Sequence, residues 1–193
     1  MNKGILILLI LTVSPVVKAQ VPDSTALIII DIQEFYFPGG SLPLVNPEEA
    51  AGKAALLLAW FREHHLPVVH VGHEARSGTD FHPLVKPLPG EKVIMKKEVN
   101  AFLGTDLDEY LRKNHIQNLI LCGMQTHMCL EGATRAAHDL GYRCTVAADA
   151  CATRDLTFDN VTVSAAEVHA STLATLKSYA EVTSVEKIIK SEN

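Results

Sequence analysis

Residues 119–141 read LILCGMQTHMCLEGATRAAHDLG, and this stretch decides the fold. Its first four residues are apolar and predict a buried strand, whereas residues 126–140 have the apolar spacing of an amphipathic helix. Thr126 is a natural N-cap for that helix and Gly141 a natural residue to follow its end. A strand that leads through a short turn into a helix is typical of sheets built from parallel strands.

The rest of the chain repeats this alternation. Apolar runs predict strands at residues 26–30, 67–71, 93–95, 144–147 and 182–185, and helical patterns occur at residues 47–65, 106–114 and 165–179. Continuous apolar strands separated by helices indicate a mainly parallel sheet with helices on both faces. We therefore expect a three-layer α/β fold in a single domain over residues 20–193, which contain no internal repeat or low-complexity segment.

The N-terminal segment has the pattern of a secretory signal. Lys3 precedes an apolar run over residues 4–13, and Val17-Lys18-Ala19 fits a small-x-small cleavage site. The apolar run is shorter than the roughly 20 residues that span a bilayer. We therefore expect residues 1–19 to be a cleaved signal peptide, the protein to be periplasmic or secreted, and no stable membrane insertion after cleavage. An uncleaved anchor and an N-terminal hydrophobic strand are the alternatives.

The charge balance argues against a nucleic-acid partner. The full chain has 17 Lys and Arg against 22 Asp and Glu, a net charge of −5. Removal of residues 1–19 takes away Lys3 and Lys18, which leaves 15 basic against 22 acidic residues and a net charge of −7. No basic patch interleaved with aromatic residues occurs, so no nucleic acid is expected. We expect a small-molecule substrate and a homo-oligomer.

The four cysteines do not form the dense framework of a small disulfide-rich protein. They lie at Cys122, Cys129, Cys144 and Cys151, without a CxxC pair. Their even number would allow bridges in an oxidising compartment. We expect mostly buried free thiols, and a Cys122–Cys144 bridge remains the alternative.

Three residues with chemical potential follow three of the predicted strands. Asp31 comes directly after one strand, Lys96 after another, and Cys129 lies just past residues 119–122. Parallel sheets collect their functional side chains at the carboxyl ends of the strands, so these three should converge. In the first turn of a helix, the dipole and the unpaired N–H groups favour a thiolate at Cys129. The same position also belongs to the core stripe of the helix, so the segment alone leaves a structural cysteine equally open.

Four motifs in this order resemble the isochorismatase-like cysteine hydrolase superfamily, whose members include nicotinamidases, N-carbamoyl amide hydrolases and isochorismatases. They are LIIIDIQ at residues 27–33, KKEVNAF at 96–102 with GTDL at 104–107, GMQTHMC at 123–129 and DACAT at 149–153, and the resemblance spans roughly residues 24–187. The resemblance implies a Rossmann-like three-layer domain.

The resemblance also implies a catalytic triad of Asp31, Lys96 and Cys129. The family lysine lies six residues before the Phe of its motif, which here is Phe102 and selects Lys96 over Lys97. Successive residues of a strand face opposite ways, so one of the two lysines should enter the site.

Family members carry a cis peptide before the nucleophile, here Met124–Gln125, which implies an oxyanion hole from the backbone N–H groups of Gln125 and Cys129. For the substrate-binding pocket, we expect Gln33 and Phe35 on one side, with Phe102 as an apolar wall. His127, beside the nucleophile, either lines the pocket or caps the helix region.

Neither a metal nor another cofactor is expected. Nicotinamidases carry an Asp-x-His metal motif, and the corresponding stretch here is His70-Val71-Gly72-His73, which lacks the Asp. On a regular strand His70 and His73 face opposite ways and make poor joint ligands. His82 is a further candidate, although a loop histidine more commonly makes hydrogen bonds or faces solvent.

The function predicted on these grounds is a cysteine hydrolase that cleaves an amide or carbamoyl C–N bond of a small molecule through a thioester. One alternative is an isochorismatase-type hydrolase of a vinyl ether. Some of those enzymes dispense with the cysteine, so its presence here favours thioester chemistry. The other is a small-molecule binding protein that keeps the fold without turnover.

Overall fold

The computed structural model describes residues 24–191, so the predicted signal peptide lies outside the described residues. The strands are β1 (Thr25–Ile30), β2 (Val68–His73), β3 (Lys92–Lys96), β4 (Asn118–Met124), β5 (Arg143–Ala152), β6 (Leu156–Phe158), β7 (Val161–Val163) and β8 (Glu181–Thr183). The α-helices are α1 (Pro47–Glu63), α2 (Leu107–Lys113), α3 (Glu131–Asp139), α4 (Ala165–Leu176) and α5 (Val185–Ser191).

Six strands form one sheet in the order β3-β2-β1-β4-β5-β8. Every neighbouring pair in it is parallel. The chain therefore runs outward from β1 to β3 and then returns to the other side of β1 with β4. This reversal places the carboxyl ends of β1 and β4 side by side, which is where α/β sheets of this kind form their binding sites.

Helices cover both faces of the sheet, as predicted. Alternate side chains of β1 enter two separate clusters: Leu27 and Ile29 pack with α1 and α5, whereas Ile28 and Ile30 pack with α2, α3 and α4. This follows from the period of two along a strand. All six residues of β1 are buried, as the continuous apolar run predicted for a sheet covered on both faces.

Helix α5 and the short strands β6 and β7 were not predicted from the sequence. The strand expected at residues 182–185 ends at Thr183, and α5 begins at Val185, whose N–H donates to Asp149 Oδ1 at 2.8 Å. β6 and β7 form an antiparallel hairpin beside the main sheet. Its turn is polar, at Asp159 and Asn160, and the two apolar residues that flank the turn are exposed, Phe158 to 85% and Val161 to 64%.

All four cysteines are buried and free. Cys122 belongs to the cluster that packs with α1, whereas Cys144 belongs to the cluster on the opposite face. The sheet therefore lies between them, and the bridge considered as an alternative does not form. Among the described helices, none combines the length and apolar character that crossing a membrane requires.

Candidate active site

Asp31 is the first residue after β1, and its backbone turns sharply there. Its φ of 50° lies in the left-handed region, which Asp tolerates better than most residues. The N–H of Asp31 donates to Val71 O at 2.8 Å, which anchors the turn to β2. Its side chain is completely buried. A buried carboxylate at the end of the central strand needs a partner, because an unpaired buried charge is costly.

Gly123 allows β4 to approach β1 next to this carboxylate. It pairs in register with Ile30, the residue before Asp31, and has a φ of 130°. A Cβ at this position would lie 1.9 Å from Ile30 O. Only glycine therefore permits the contact that holds the ends of β1 and β4 together.

Lys96, at the end of β3, turns into the site, whereas Lys97 faces solvent. The Lys96 side chain is completely buried, while that of Lys97 is 77% exposed and lies 3.8 Å from Glu74 Oε2. The alternation of side chains along a strand accounts for the difference. The geometry thus selects the same lysine as the spacing to Phe102.

Cys129 lies in a single π-helical turn, Thr126–Leu130, that continues directly into α3. It is 5% exposed and also touches the core on the α2–α4 side. The helix was expected to begin with Thr126 as its cap, but the Thr126 hydroxyl is paired with His169 Nδ1 at 2.9 Å and makes no capping bond. Gly141 follows the end of α3 with a φ of 93°, as predicted.

The three side chains meet around the ammonium group of Lys96. Its Nζ lies 2.7 Å from Asp31 Oδ2 and 3.2 Å from Cys129 Sγ. His73 Nδ1 lies 3.1 Å from the same nitrogen. The second carboxylate oxygen, Asp31 Oδ1, has no hydrogen-bond partner among the described residues. The cluster therefore combines an acid, a cation and a thiol, with one carboxylate oxygen left free.

Burial controls the protonation of this cluster. It raises the pKa of Asp31, although the charge of Lys96 and the neighbouring thiol of Cys129 oppose the change. Burial, together with the negative charge of Asp31, raises the pKa of Cys129 to about 12 despite the opposing charge of Lys96. The sequence-based expectation was a pKa lowered toward the thiolate; burial and the charge of Asp31 instead raise it, which favours the thiol.

Hydrogen bonds between Gln125 and two other segments hold the turn before the nucleophile in place. The Met124–Gln125 peptide is cis, as the resemblance implied. The buried side chain of Gln125 donates from Nε2 to the Tyr36 hydroxyl at 3.3 Å and accepts at Oε1 from Arg154 Nε at 3.2 Å. Arg154 could not be singled out from the sequence, because its contact with Gln125 joins residues 29 positions apart.

The side chain of Gln33, predicted to border the substrate pocket, holds the protein's own backbone. Its Oε1 accepts from His73 N–H at 2.7 Å, and its Nε2 donates to His73 O at 3.2 Å and to Thr79 O at 2.6 Å. Both amide hydrogens are thus engaged and the residue is fully buried. Gln33 positions the end of β2 and has no free N–H for a substrate.

The other predicted pocket residues differ in their access to ligands. Phe35 is buried against Tyr36, with ring centroids 4.2 Å apart, and Phe102 is partly buried and stacked on Tyr142 at 6.1 Å. His127 is partly buried and pairs with Thr153 Oγ1 at 2.6 Å. Burial lowers the pKa of His127, and the charge of Arg154 lowers it further, so this ring is neutral near pH 7.

Two cavities flank the nucleophile loop. A groove of about 370 Å³ is bounded by His127 and by the β6–β7 hairpin, and a cavity of about 210 Å³ is bounded by Thr153 and His169. Neither has Asp31, Lys96 or Cys129 in its wall. Cys129 itself is only 5% exposed.

The potential metal-ligand atoms of Asp31, His73 and Cys129 lie within 4.8 Å of one another, a spacing that a metal ion could use. Lys96 Nζ, however, lies within 3.2 Å of one such ligand atom from each of the three residues. An ammonium already supplies the positive charge there, and a second cation beside it would be repelled. This set of residues therefore does not fit a resident metal, and His70, the other histidine of the motif, bonds to Glu91 instead.

Comparison with known proteins places the chain in a family. The model of the Isochorismatase domain matches residues 25–187. The chain belongs to the isochorismatase family. It is 41% identical over 179 residues to the isochorismatase family protein YddQ of Bacillus subtilis, with 86% of this chain and 99% of YddQ covered.

Solved and named relatives agree with this placement. An isochorismatase hydrolase structure from Oleispira antarctica matches with a TM-score of 0.84 at 45% identity, covering 87% of this chain and 97% of that one. Ureidoacrylate amidohydrolase RutB of Cronobacter sakazakii is 26% identical over 184 residues, covering 72% of this chain and 79% of RutB. The isochorismatase family to which this chain belongs is a family of hydrolases.

Proposed function

We propose that this isochorismatase-family protein is a cysteine hydrolase that cleaves an amide or carbamoyl C–N bond of a small molecule through a thioester on Cys129. The observation that carries the proposal is the position of the Lys96 ammonium, 2.7 Å from the Asp31 carboxylate and 3.2 Å from the Cys129 sulfur. A packing role for Cys129 would not require a buried ion pair beside its sulfur, because burying charges is costly.

In the first step, Asp31 takes the thiol proton as the sulfur attacks the carbonyl carbon. The raised pKa of Asp31 makes it a stronger base than a surface carboxylate, and its free Oδ1 can accept the proton. Because the resting group is a thiol, proton transfer accompanies the attack. Lys96 stabilises the negative charge that builds on the sulfur during the transfer.

In the second step, the carbonyl oxygen becomes an oxyanion, which the backbone N–H groups of Gln125 and Cys129 would stabilise. Each well-placed donor is worth about 3 kcal/mol in such a site. The protonated Asp31 then gives its proton to the leaving nitrogen as the C–N bond breaks. Water attacks the thioester with Asp31 again as the base, which releases the acid and restores the thiol.

Two further observations support a small C–N substrate. Cys129 is only 5% exposed, which favours a small substrate over a bulky chain. The relative RutB is named an amidohydrolase, which makes C–N hydrolysis a chemistry that occurs among relatives of this chain.

The test is a screen of small amides, ureas, N-carbamoyl acids, lactams and isochorismate, followed by acid quenching and intact mass spectrometry. We expect turnover of at least one C–N substrate and an acyl adduct located on Cys129. Cys129→Ala should lose both, while Lys97→Met, in which an exposed side chain is changed, should keep both.

Isochorismate serves to separate the two enzymatic alternatives. Hydrolysis of isochorismate that survives in Cys129→Ala, without an adduct in the native protein, would favour the vinyl-ether reaction. Binding of ligands without any turnover across the screen would favour the binding protein.

We also infer export and self-association, on separate grounds. The pattern over residues 1–19 supports cleavage of a signal peptide, for which N-terminal sequencing of the exported protein should read from Gln20. The exposed Phe158 and Val161 on the β6–β7 hairpin support association into a homo-oligomer. Light scattering should then give a mass above that of one chain, and Phe158→Ser should lower it.

A further inference from the structure

His73 lies at the end of β2 and pairs in register with Lys96 on β3. A lysine ammonium has three N–H donors and needs three acceptors when it is buried. Asp31 Oδ2 and Cys129 Sγ provide two of them, and His73 Nδ1, at 3.1 Å, is the third. Without His73, one N–H of a fully buried cation would have no partner in the described structure.

This contact determines where the imidazole carries its proton. The ammonium has no lone pair, so His73 Nδ1 must be the acceptor and its proton must be on Nε2. A doubly protonated ring would direct an N–H at the ammonium and place two positive charges 3.1 Å apart. The geometry therefore requires a neutral ring of one defined tautomer.

The backbone of His73 is held as firmly as its ring. The buried amide of Gln33 bonds to both the N–H and the C=O of His73, at 2.7 and 3.2 Å. A third bond, to Thr79 O at 2.6 Å, fixes the amide itself. The buried network thus runs from Gln33 through His73 to the ammonium of Lys96, and from there to the sulfur of Cys129.

We propose that His73 is a positioning residue of the catalytic cluster, a neutral Nε2–H imidazole that holds the Lys96 ammonium against Cys129. The proposal rests on the proposed function for its meaning in catalysis, but its test needs neither a substrate nor turnover. Loss of the acceptor should leave the ammonium free to move away from the sulfur. The thiolate is then less stabilised, a smaller fraction of Cys129 is ionised, and Cys129 reacts more slowly.

The first measurement is the tautomer of His73 in the ¹⁵N-histidine-labelled protein. Two-bond ¹H–¹⁵N spectra at pH 7.5, assigned with His73→Gln, should show Nδ1 unprotonated and Nε2 protonated. A protonated Nδ1 would contradict the proposal directly.

The second measurement is the rate at which iodoacetamide alkylates Cys129 at pH 8, followed by peptide mass spectrometry with Cys129→Ala as the blank. His73→Phe keeps a ring but removes the acceptor, and should slow alkylation about tenfold, the effect of losing one hydrogen bond to a charged group. His73→Asn places a side-chain oxygen near the position of Nδ1 and should restore the rate to within about threefold of the native value.

The outcomes separate this proposal from the one above. Equal rates in native protein and His73→Phe, or an Asn variant as slow as the Phe variant, would remove the positioning role. Thermal unfolding of each variant checks that the fold is kept, and the tautomer measurement stands even if His73→Phe fails to fold. Turnover that persists in Cys129→Ala would defeat the cysteine-hydrolase proposal but leave both His73 readouts unchanged.

Discussion

Lys96 and Cys129 lie with ammonium nitrogen and sulfur 3.2 Å apart, and the two residues are only 1% and 5% exposed. They come from different strand ends, separated by 33 residues of sequence. A buried cation beside a thiol lowers the free energy of the thiolate relative to the thiol. At this distance Lys96 stabilises the Cys129 thiolate electrostatically, an effect that the neighbouring Lys97 cannot have.

Replacing each lysine in turn should separate thiolate stabilisation by Lys96 from the effect of losing any one positive charge. Lys96→Met should reduce kcat/KM by about a thousandfold or more, because removing one member of a catalytic unit also disables the other members. Lys97→Met should stay within about twofold of the native protein, as expected for an exposed side chain. Both are measured on a substrate from the screen, with circular dichroism as the check on folding. Similar losses in the two variants would contradict the assignment of Lys96.

Asp31→Asn should uncouple thiol reactivity from hydrolysis. The negative charge of Asp31 is one of the causes that raise the pKa of Cys129. Its removal should lower that pKa, so iodoacetamide should alkylate Cys129 faster at pH 8 than in the native protein. Hydrolysis should nevertheless fall by about a hundredfold or more, since no base remains to take the proton. Slower alkylation together with lost hydrolysis would indicate that Asp31 stabilises the thiolate and does not act as a base.

Gly123→Ala tests the close approach of β4 to β1. The added Cβ would lie 1.9 Å from Ile30 O, so the strands must separate next to Asp31. We expect the free energy of unfolding to drop by about 3 kcal/mol or more, measured by urea denaturation. Gly52→Ala is the matched control, because its Cβ meets nothing within 4 Å. In the interior of α1, that change should stabilise the protein by about 0.5–1 kcal/mol.

Acid should weaken the partly buried network of Glu91, Arg62 and His70. Burial alone would raise the pKa of Glu91, but hydrogen bonds from Arg62, Leu88 N–H and His70 outweigh it and lower the pKa to about 2. A carboxylate whose pKa is depressed in the folded state stabilises the fold above its unfolded value of 4.5, and this contribution is lost as the pH falls from there toward 2.

Glu91→Gln should therefore lower the free energy of unfolding by about 2–3 kcal/mol at pH 7. The difference from the native protein should shrink as the pH falls below 4.5. Urea titrations at several pH values measure it. A difference that stays constant down to pH 3 would contradict the role given to the carboxylate.

Much of the fold could be predicted because its signals are local. The apolar run of β1, the turn after β4 and the alternation that separates Lys96 from Lys97 are each contained in a few neighbouring residues. The order of the strands then brings Asp31, Lys96 and Cys129 to one edge of the sheet. Local pattern and topology were sufficient for this part of the site.

The rest depends on contacts between distant segments. Gln33 reaches Thr79 across 46 residues and His73 across 40, so the sequence around Gln33 could not show that its amide is occupied. The pKa of Cys129 depends on how deeply the sulfur is buried, which a helix pattern does not report. The β6–β7 hairpin was missed because each strand has three residues, too few for an alternating pattern to emerge.

The ammonium group of Lys96 contacts an oxygen, a nitrogen and a sulfur, the three ligand elements from which proteins build metal sites. The cluster is in effect a coordination sphere whose central ion is covalently tethered to the chain. Such a centre cannot be removed by a chelator or exchanged for a different ion, and its charge is present as soon as the chain folds. The electrostatics of this site would therefore be independent of metal supply, wherever the protein resides.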